Sequence, residues 1–174
     1  MSERIIVFGD GGHALSCRQV FDEFGSGPII FLKRGQTCHE QGRYFIAVGD
    51  NRIRYEIYQT NPHCRYHTFL SRYAIGFPKA IGKGSIVMPG AIIREGVEIG
   101  EFVIINSGAI VEHGCNIGSF AHIAPGAILL GDCKAGTGAF VGANATLRQG
   151  VKVGSWQFVK AGTVVKEDLP DNSI

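Results

Sequence analysis

From Ile81 to Pro170 the sequence runs Ile81-Gly82-Lys83-Gly84-Ser85-Ile86, then Val87-Met88-Pro89-Gly90-Ala91-Ile92, then Ile93-Arg94-Glu95-Gly96-Val97-Glu98, and holds that frame for 90 residues. The first column of the fifteen hexads is apolar throughout, from Ile81, Val87 and Ile93 to Val159 and Val165. Four residues later small side chains dominate, among them Ser85, Ala91, Ala109, Cys115, Ala121 and Cys133. Between these columns, at one fixed offset, stand nine glycines together with Asp132, Asn144 and Asp168, the residues that best tolerate a left-handed turn. Neither a helical period of 3.6 nor a strand period of 2 produces this pattern. A short strand and a corner every six residues does. Three hexads then make one triangular coil of 18 residues, and five coils at about 4.8 Å each give a prism roughly 24 Å tall. The expected fold of this half is a left-handed parallel β-helix of hexapeptide repeats. Ile75 and Gly76 extend the pattern as the start of one more hexad.

The first seventy residues follow another rule. Arg4 to Phe8 is a β-branched apolar run, Gly9-Asp10-Gly11-Gly12-His13-Ala14 a glycine-rich turn, and Ala14 to Phe24 a predicted helix. Strands are predicted at Ile29–Leu32 and Phe45–Val48, and a second helix at Asn51–Gln59. The reading is a small α/β, Rossmann-like domain over residues 1–70, followed by the β-helix domain over 71–174. Gly9-x-Gly11-x-x-Ala14 fits a loose nucleotide fingerprint, in which bare backbone and a helix N-terminus approach phosphate. A dinucleotide site would want an acid about 20 residues further on, but strand 2 ends in Lys33-Arg34, which disfavours NAD. The turn either packs helix on strand or receives a nucleotide-sugar diphosphate, with His13 facing that ligand or capping the helix.

Composition narrows the function. The chain has 174 residues, 45% hydrophobic and 18% charged, with 17 basic and 15 acidic side chains and a formal charge of +2. No basic run marks a nucleic-acid or membrane surface, so the expected partner is a small molecule. Ile5 to Phe8 is too short for a signal-peptide core, and a cytoplasmic location is expected. The five cysteines, Cys17, Cys38, Cys64, Cys115 and Cys133, show no C-x-x-C pair and are expected as reduced thiols, with Cys115 and Cys133 stacked 18 residues apart inside the prism. His39, His63 and His67 are expected at the surface. Phe102, Phe120 and Trp156 replace turn glycines up one edge and are expected to pack between subunits. A bare scaffold would need no histidine-bearing hexads, and a zinc carbonic anhydrase of this fold needs three histidines where the prism has only His113 and His122. No metal is expected.

Three separated motifs carry a resemblance over nearly the whole chain: Gly9-x-Gly11-Gly12-His13-Ala14, Phe45-Ile46-Ala47-Val48-Gly49-Asp50-Asn51-Arg52-Ile53-Arg54, and Val111-Glu112-His113-Gly114-Cys115-Asn116 with His122-Ile123-Ala124-Pro125-Gly126-Ala127. The sequence resembles the hexapeptide-repeat sugar O- and N-acyltransferases, typified by sialic acid O-acetyltransferases and by enzymes that acetylate nucleotide-linked 4-amino sugars. The resemblance implies acetyl-CoA as co-substrate, a homotrimer with active sites between neighbouring prisms, and a small domain that grips the nucleotide sugar through Gly9, Gly11, Gly12, His13, Lys33, Arg34 and Asn51. It implies His113 as general base, His122 and Gly142 on the CoA side, and Asn106 near the acceptor sugar. Gly131, one coil above His113 at about 4.8 Å, is the expected oxyanion donor and also meets the thioester.

The sequence departs from this family in three places. An acid normally follows the catalytic histidine, whereas here Gly114 stands there, so Glu95 or Glu112 is the candidate to orient His113. Acids at the end of strand 2 are replaced by Lys33 and Arg34. Relatives continue past the last coil with a tail that helps enclose CoA, while this chain stops at Asp171-Asn172-Ser173-Ile174, implying an open CoA site or a longer natural chain. The expected activity is transfer of acetyl from acetyl-CoA to the amine of a nucleotide-linked amino-deoxy sugar in surface-glycan synthesis. O-acetylation of a sialic acid, and a catalytically silent trimeric binding module, are the alternatives.

Overall fold

A computed structural model describes residues 4–25, 27–33, 35–36, 38 and 42–172. Strand β1 (Ile5–Phe8) is wholly buried, as a β-branched run flanked on both sides by parallel neighbours should be. It pairs in parallel with β2 (Ile29–Leu32) and β3 (Arg43–Ile46) in the order β2-β1-β3. Helix α1 (Gly12–Glu23) follows β1 and buries Ala14, Cys17, Val20 and Phe21. Helix α2 (Asn51–Thr60) starts at Asp50, whose carboxylate accepts the Ile53 N–H at 2.9 Å. Strand 3 lies two residues earlier than the sequence pattern suggested. Its register is set by pairing with β1, Ile5 opposite Arg43, which Ala47 and Val48 only extend by one ladder bond from Ala47 N–H to the Phe8 carbonyl.

Fifteen two-residue strands, from β5 (Ala80–Ile81) to β19 (Val164–Val165), realise the fifteen hexads. They stack 18 residues apart into three parallel sheets, the walls of a left-handed β-helix. One stacked core runs up the axis, with Val111, Ile117, Ile123 and Leu129 fully buried beside small Ala109, Cys115, Ala121 and Cys133. The predicted turn column takes left-handed backbone at all nine glycines and at Asp132 and Asn144. Asp168 does not; its carboxylate instead accepts the Lys152 N–H at 2.8 Å where the last coil ends. The prism also begins earlier than Ile81. Strand β4 (Phe69–Leu70) joins the wall of β6 (Ile86–Val87) at a 17-residue offset, Phe69 opposite Ile86, one residue out of the repeat frame. Ile75 likewise bridges to Ile92.

Phe102, Phe120 and Trp156 hold left-handed φ values of 56°, 61° and 56° although they are aromatic. A glycine at these corners would relieve that strain. Their partners lie in the same chain, which corrects the expectation of a subunit contact. Phe102 stacks on Phe120 at 5.0 Å, Tyr58 of α2 packs on Phe102 at 4.6 Å, and Tyr55 of α2 meets Phe120 and Trp156 edge-on at 5.2 and 5.7 Å. The aromatic edge is therefore the seat of the α/β portion. Helix α1 and strand β3 complete the contact, Phe21 and Phe45 sharing one buried cluster with Phe69, Ile86, Met88 and Ile104 on the same wall of the prism.

Two cysteines also differ from expectation. Cys38 and Cys64 are joined by a disulfide. Cys17, Cys115 and Cys133 are free and buried, Cys115 and Cys133 stacked as the spacing required.

Candidate active site

Two groups of candidate residues lie on different parts of the molecule. The first is built where β1 turns into α1. Gly9 takes φ +105°, and a Cβ there would press to 3.0 Å on both the Ala47 carbonyl and Val48. Gly11 has ordinary extended backbone at φ −83°, and a Cβ on Gly11 or Gly12 would meet nothing within 4 Å. Neither glycine is demanded by conformation or packing. Both leave the floor of a cavity bare at the N-terminus of α1, whose first N–H groups have no partner within the helix. That cavity holds about 530 Å³ and is lined by Gly9 to His13, by Lys33, Gly35 and Gln36, and by Val48, Gly49 and Asn61. Arg34 lies outside the described residues.

A second, shallower cavity of about 450 Å³ adjoins it, between Gly49 to Arg52 and the prism residues His122, Phe140, Trp156 and Phe158. His122 projects from β12 (His122–Ile123) on the wall that faces the α/β portion. Its ring lies 6.0 Å from that of His13 and 5.0 Å from that of Phe140. The Asn106 carboxamide oxygen accepts the Ser107 N–H at 2.8 Å, so its nitrogen faces His122 Nε2 at 3.1 Å and donates. Nε2 is thereby an acceptor, and Nδ1 carries the proton that it donates to the Gly49 carbonyl at 3.0 Å. Burial, reinforced by nearby Arg54, drives the pKa of His122 down to about 3 and that of His13 down to about 4. Both rings are neutral at physiological pH, and both nitrogens of His122 are spoken for.

Arg54 holds this arrangement together. Three residues beyond Asn51 on α2, its guanidinium donates to the carbonyls of Phe102, Val48, Gly49, Phe120 and Ala121 and to Asn51 Oδ1 at 2.6–3.4 Å, with 1% of the residue exposed. Asn51 in turn donates to the Gly138 and Ala139 carbonyls at 3.0 and 3.1 Å. Asn51, a substrate contact by the sequence pattern, lines the shallower cavity, and together with Arg54 its side chain braces α2 against three successive coils. Nothing in the Phe45 to Arg54 motif by itself assigns Arg54 a role. The helical i, i+3 spacing that places both on one face was the available signal.

The second group sits at the corner between β10 (Ile110–Val111) and β11 (Asn116–Ile117). His113 is exposed there, one coil below Gly131. A Cβ on Gly131 would lie 2.5 Å from His113 Cε1 and 2.7 Å from Nε2, so the imidazole rests on bare backbone. The Asp132 N–H donates to the His113 carbonyl at 2.9 Å, whereas the Gly131 N–H has no acceptor among the described residues. Glu95 occupies the same corner one coil down, where its carbonyl accepts the Gly114 N–H at 3.3 Å. The Glu112 carboxylate faces Arg94 at 3.7 Å. Among the described residues neither carboxylate bonds to His113. Gly142 is fixed by stacking, since a Cβ there would meet backbone of the next coil at Ala161 and Val159.

The two groups do not meet within one chain. Strands β10 and β11 belong to the two walls of the prism that the α/β portion leaves uncovered, and their shared corner lies opposite the wall of β12, β9 (Ile104–Ile105) and β6, on which that portion sits.

A parallel β-helix carrying an exposed histidine over a bare amide, with a glycine-floored cavity on a small α/β layer, defines a class of acyl-transfer proteins. No family model matches the sequence. Among solved structures, the acetyltransferase domain of PglB from Neisseria gonorrhoeae FA1090, in complex with acetyl coenzyme A, is 30% identical, with 98% of this chain and 94% of that chain covered at a TM-score of 0.89. PerB from Caulobacter crescentus, in complex with CoA and GDP-perosamine, is 29% identical over 97% of this chain and 91% of its own, at a TM-score of 0.87. WeeI from Acinetobacter baumannii AYE, 20% identical, shares the fold at a TM-score of 0.81. The chain belongs to the hexapeptide-repeat sugar acyltransferases, and it is an acetyl-CoA-dependent acyltransferase.

Proposed function

We propose that this chain transfers acetyl from acetyl-CoA to the amine of a nucleotide-linked amino-deoxy sugar, a reaction that feeds surface-glycan synthesis in the cytoplasm. The observation that carries the reading is the pair of glycines, Gly11 and Gly12, that neither fold nor packing requires and that leave α1 amides open to a cavity flanked by Lys33. Such a floor suits a diphosphate. PerB, bound to CoA and GDP-perosamine, supports an acceptor of that class.

In this reading residues 1–70 hold the nucleotide and residues 71–174 the acetyl donor. His113 Nε2 takes a proton from the amine as the nitrogen attacks the thioester carbonyl. The Gly131 N–H, which has no other acceptor among the described residues, donates to the oxygen that becomes negative. When the tetrahedral intermediate collapses, the carbon–sulfur bond breaks and His113 returns its proton to the CoA thiolate. No metal enters the chemistry. Glu95, below His113 on its corner, is the carboxylate assigned to orient the imidazole, and Glu112 tempers the positive charge of Arg94 nearby. His122, braced by Asn106, gives the shallower cavity a rigid neutral wall on the side of the acetyl donor, and Gly142 keeps its own coil in register with the next. Because the His113 corner and the cavity lie on opposite sides of one prism, a neighbouring copy brings its His113 to this cavity, and a homotrimer closes three such sites.

The test is CoA release from acetyl-CoA with a panel of UDP-, TDP- and GDP-linked 4-amino sugars and free sialic acid, beside His113→Ala. Turnover with an amino sugar is expected to fall about 10²- to 10⁴-fold in the variant. Turnover with sialic acid alone would replace the amine by a hydroxyl acceptor. Nucleotide-sugar binding without any CoA release would sink the catalytic reading.

A further inference from the structure

His13 and Cys17 stand one turn apart on α1, and helical side chains lean toward the N-terminus, so Cys17 Sγ meets the His13 ring at 3.4 Å from Nε2. Cys17 is sealed in the apolar cluster of Val7, Ala14, Phe21, Phe45 and Ile104. Burial pushes its pKa up to about 12 against the pull of Arg54, so the sulfur keeps its hydrogen. The other two buried thiols donate to backbone, Cys115 to the Leu130 carbonyl at 3.2 Å and Cys133 to the Arg148 carbonyl at 3.1 Å. Among the described residues Cys17 Sγ has only the ring. Of the two ways to share one hydrogen between these neutral groups, S–H to nitrogen is favoured, because an imidazole lone pair is a stronger acceptor than sulfur. Nε2 therefore accepts, and Nδ1 carries the ring proton. Nδ1 has no acceptor among the described residues, yet it is not one of their buried unpartnered atoms, so it opens to the larger cavity that His13 lines. Gly49 separates this ring from that of His122 and borders both cavities.

We propose that Cys17 is a positioning residue whose thiol locks the His13 ring with its proton on Nδ1, presenting a neutral donor to a phosphate oxygen beside Gly49, where the larger cavity borders the shallower one. The lock stands on the geometry of α1 alone; the phosphate rests on the function proposed above. A cationic ring would attract an anion more strongly, but burial and Arg54 hold the His13 pKa down at about 4 and deny it that charge. A neutral ring attracts a phosphate oxygen with one nitrogen and repels it with the other, so affinity depends on which of the two faces the cavity. Without the thiol the proton divides between both nitrogens, and the fraction that carries it on Nε2 turns a lone pair toward the ligand. With it, His13 matches His122, whose Nε2 accepts from Asn106 and whose proton is likewise held on Nδ1. Both histidines beside Gly49 are thus uncharged and fixed in one tautomer.

Heteronuclear NMR of the imidazole nitrogens distinguishes a protonated ring nitrogen from a bare one. His13 should carry its proton on Nδ1 in the parent and show a mixture of tautomers in Cys17→Ala. The S–H stretch, which lies in an infrared window clear of other protein bands, reads the same contact from the sulfur: the band lost in Cys17→Ala should be that of a bonded thiol. UDP and GDP should bind Cys17→Ala about three- to tenfold more weakly than the parent. Cys17→Val, which refills the core without a donor, should show the same loss. His13→Asn places an amide donor where Nδ1–H stood and needs no thiol, so in that background Cys17→Ala should cost no affinity. A proton on Nε2 in the parent, a valine variant that binds as the parent does, or an equal loss from Cys17→Ala in both backgrounds would each overturn the proposal, the last because it marks a packing role only. Absence of UDP and GDP binding in every variant would fell the nucleotide reading of the cavity, while a bonded thiol with the proton on Nδ1 would still uphold the lock on His13.

Discussion

His113 and His122 use the same side chain in opposite ways. His113 stands exposed over a bare glycine with its ring unbonded among the described residues, which leaves a nitrogen for substrate. His122 is buried, donates to Gly49, accepts from Asn106 and is kept neutral. A ring whose folded pKa is about 3, against an ordinary 6.5, refuses a proton that the unfolded chain binds. Stability therefore rises with pH between about 3 and 6.5 and is lost as the solution is acidified through that window. For His122 the loss is about 2 kcal/mol by pH 5 relative to neutral pH. Urea midpoints measured from pH 7.5 to 5 should fall, and His122→Gln should shallow that fall; an unchanged slope would mean that the folded ring accepts the proton. Gly131→Ala tests the other histidine. Its backbone is not left-handed, so the fold should survive, but the new methyl would occupy the space of the His113 ring. We expect an unchanged melting temperature and at least about a tenfold drop in kcat.

At the scale of elements, α2 carries the polar attachment of the α/β portion to the prism beside the apolar contact made by α1, and Arg54 is its fixing point. A guanidinium suits a site whose six acceptors are amide oxygens because its planar fork reaches several of them at once. Arg54→Met would leave the Phe102, Phe120 and Val48 carbonyls buried without their donor, at a cost of about 3 kcal/mol or more. Arg54→Lys should recover only part of that loss. Thermal melts of the three proteins rank these outcomes, and a methionine variant as stable as the parent would show that the aromatic seat alone holds the helix. The prism was legible in the sequence because every coil repeats the same apolar, small and left-handed positions at 18-residue spacing, and that spacing also placed Gly131 over His113. Strand β4 was not legible, since its 17-residue offset moves Phe69 out of frame. An aromatic at a left-handed corner announces a covering surface without saying whose, so Phe102, Phe120 and Trp156 were assigned to a neighbour when α2 of the same chain covers them. The Cys38–Cys64 bond depends on where two loops end, which no local pattern encodes.

For the whole molecule, the decisive fact is that three walls make three corners, and the α/β portion covers the wall opposite the His113 corner. In the proposed reaction, a cavity and a base so placed on one prism act on a single substrate only when two copies face one another. That arrangement can be read out by mixing. His113→Ala retains a sound cavity, and a Gly12→Trp variant, which fills the space now left open above α1, retains a sound His113. Each alone should be nearly inactive. Co-expressed in equal amounts and assembled at random into closed rings, one site in four combines an intact cavity from one copy with an intact histidine from the next, so about one quarter of the parental activity should return. Sites built within single chains would return none. A sedimentation profile of the mixture separates a failure to assemble from a failure to complement, because only assembled and silent rings would contradict the division of the site between neighbours.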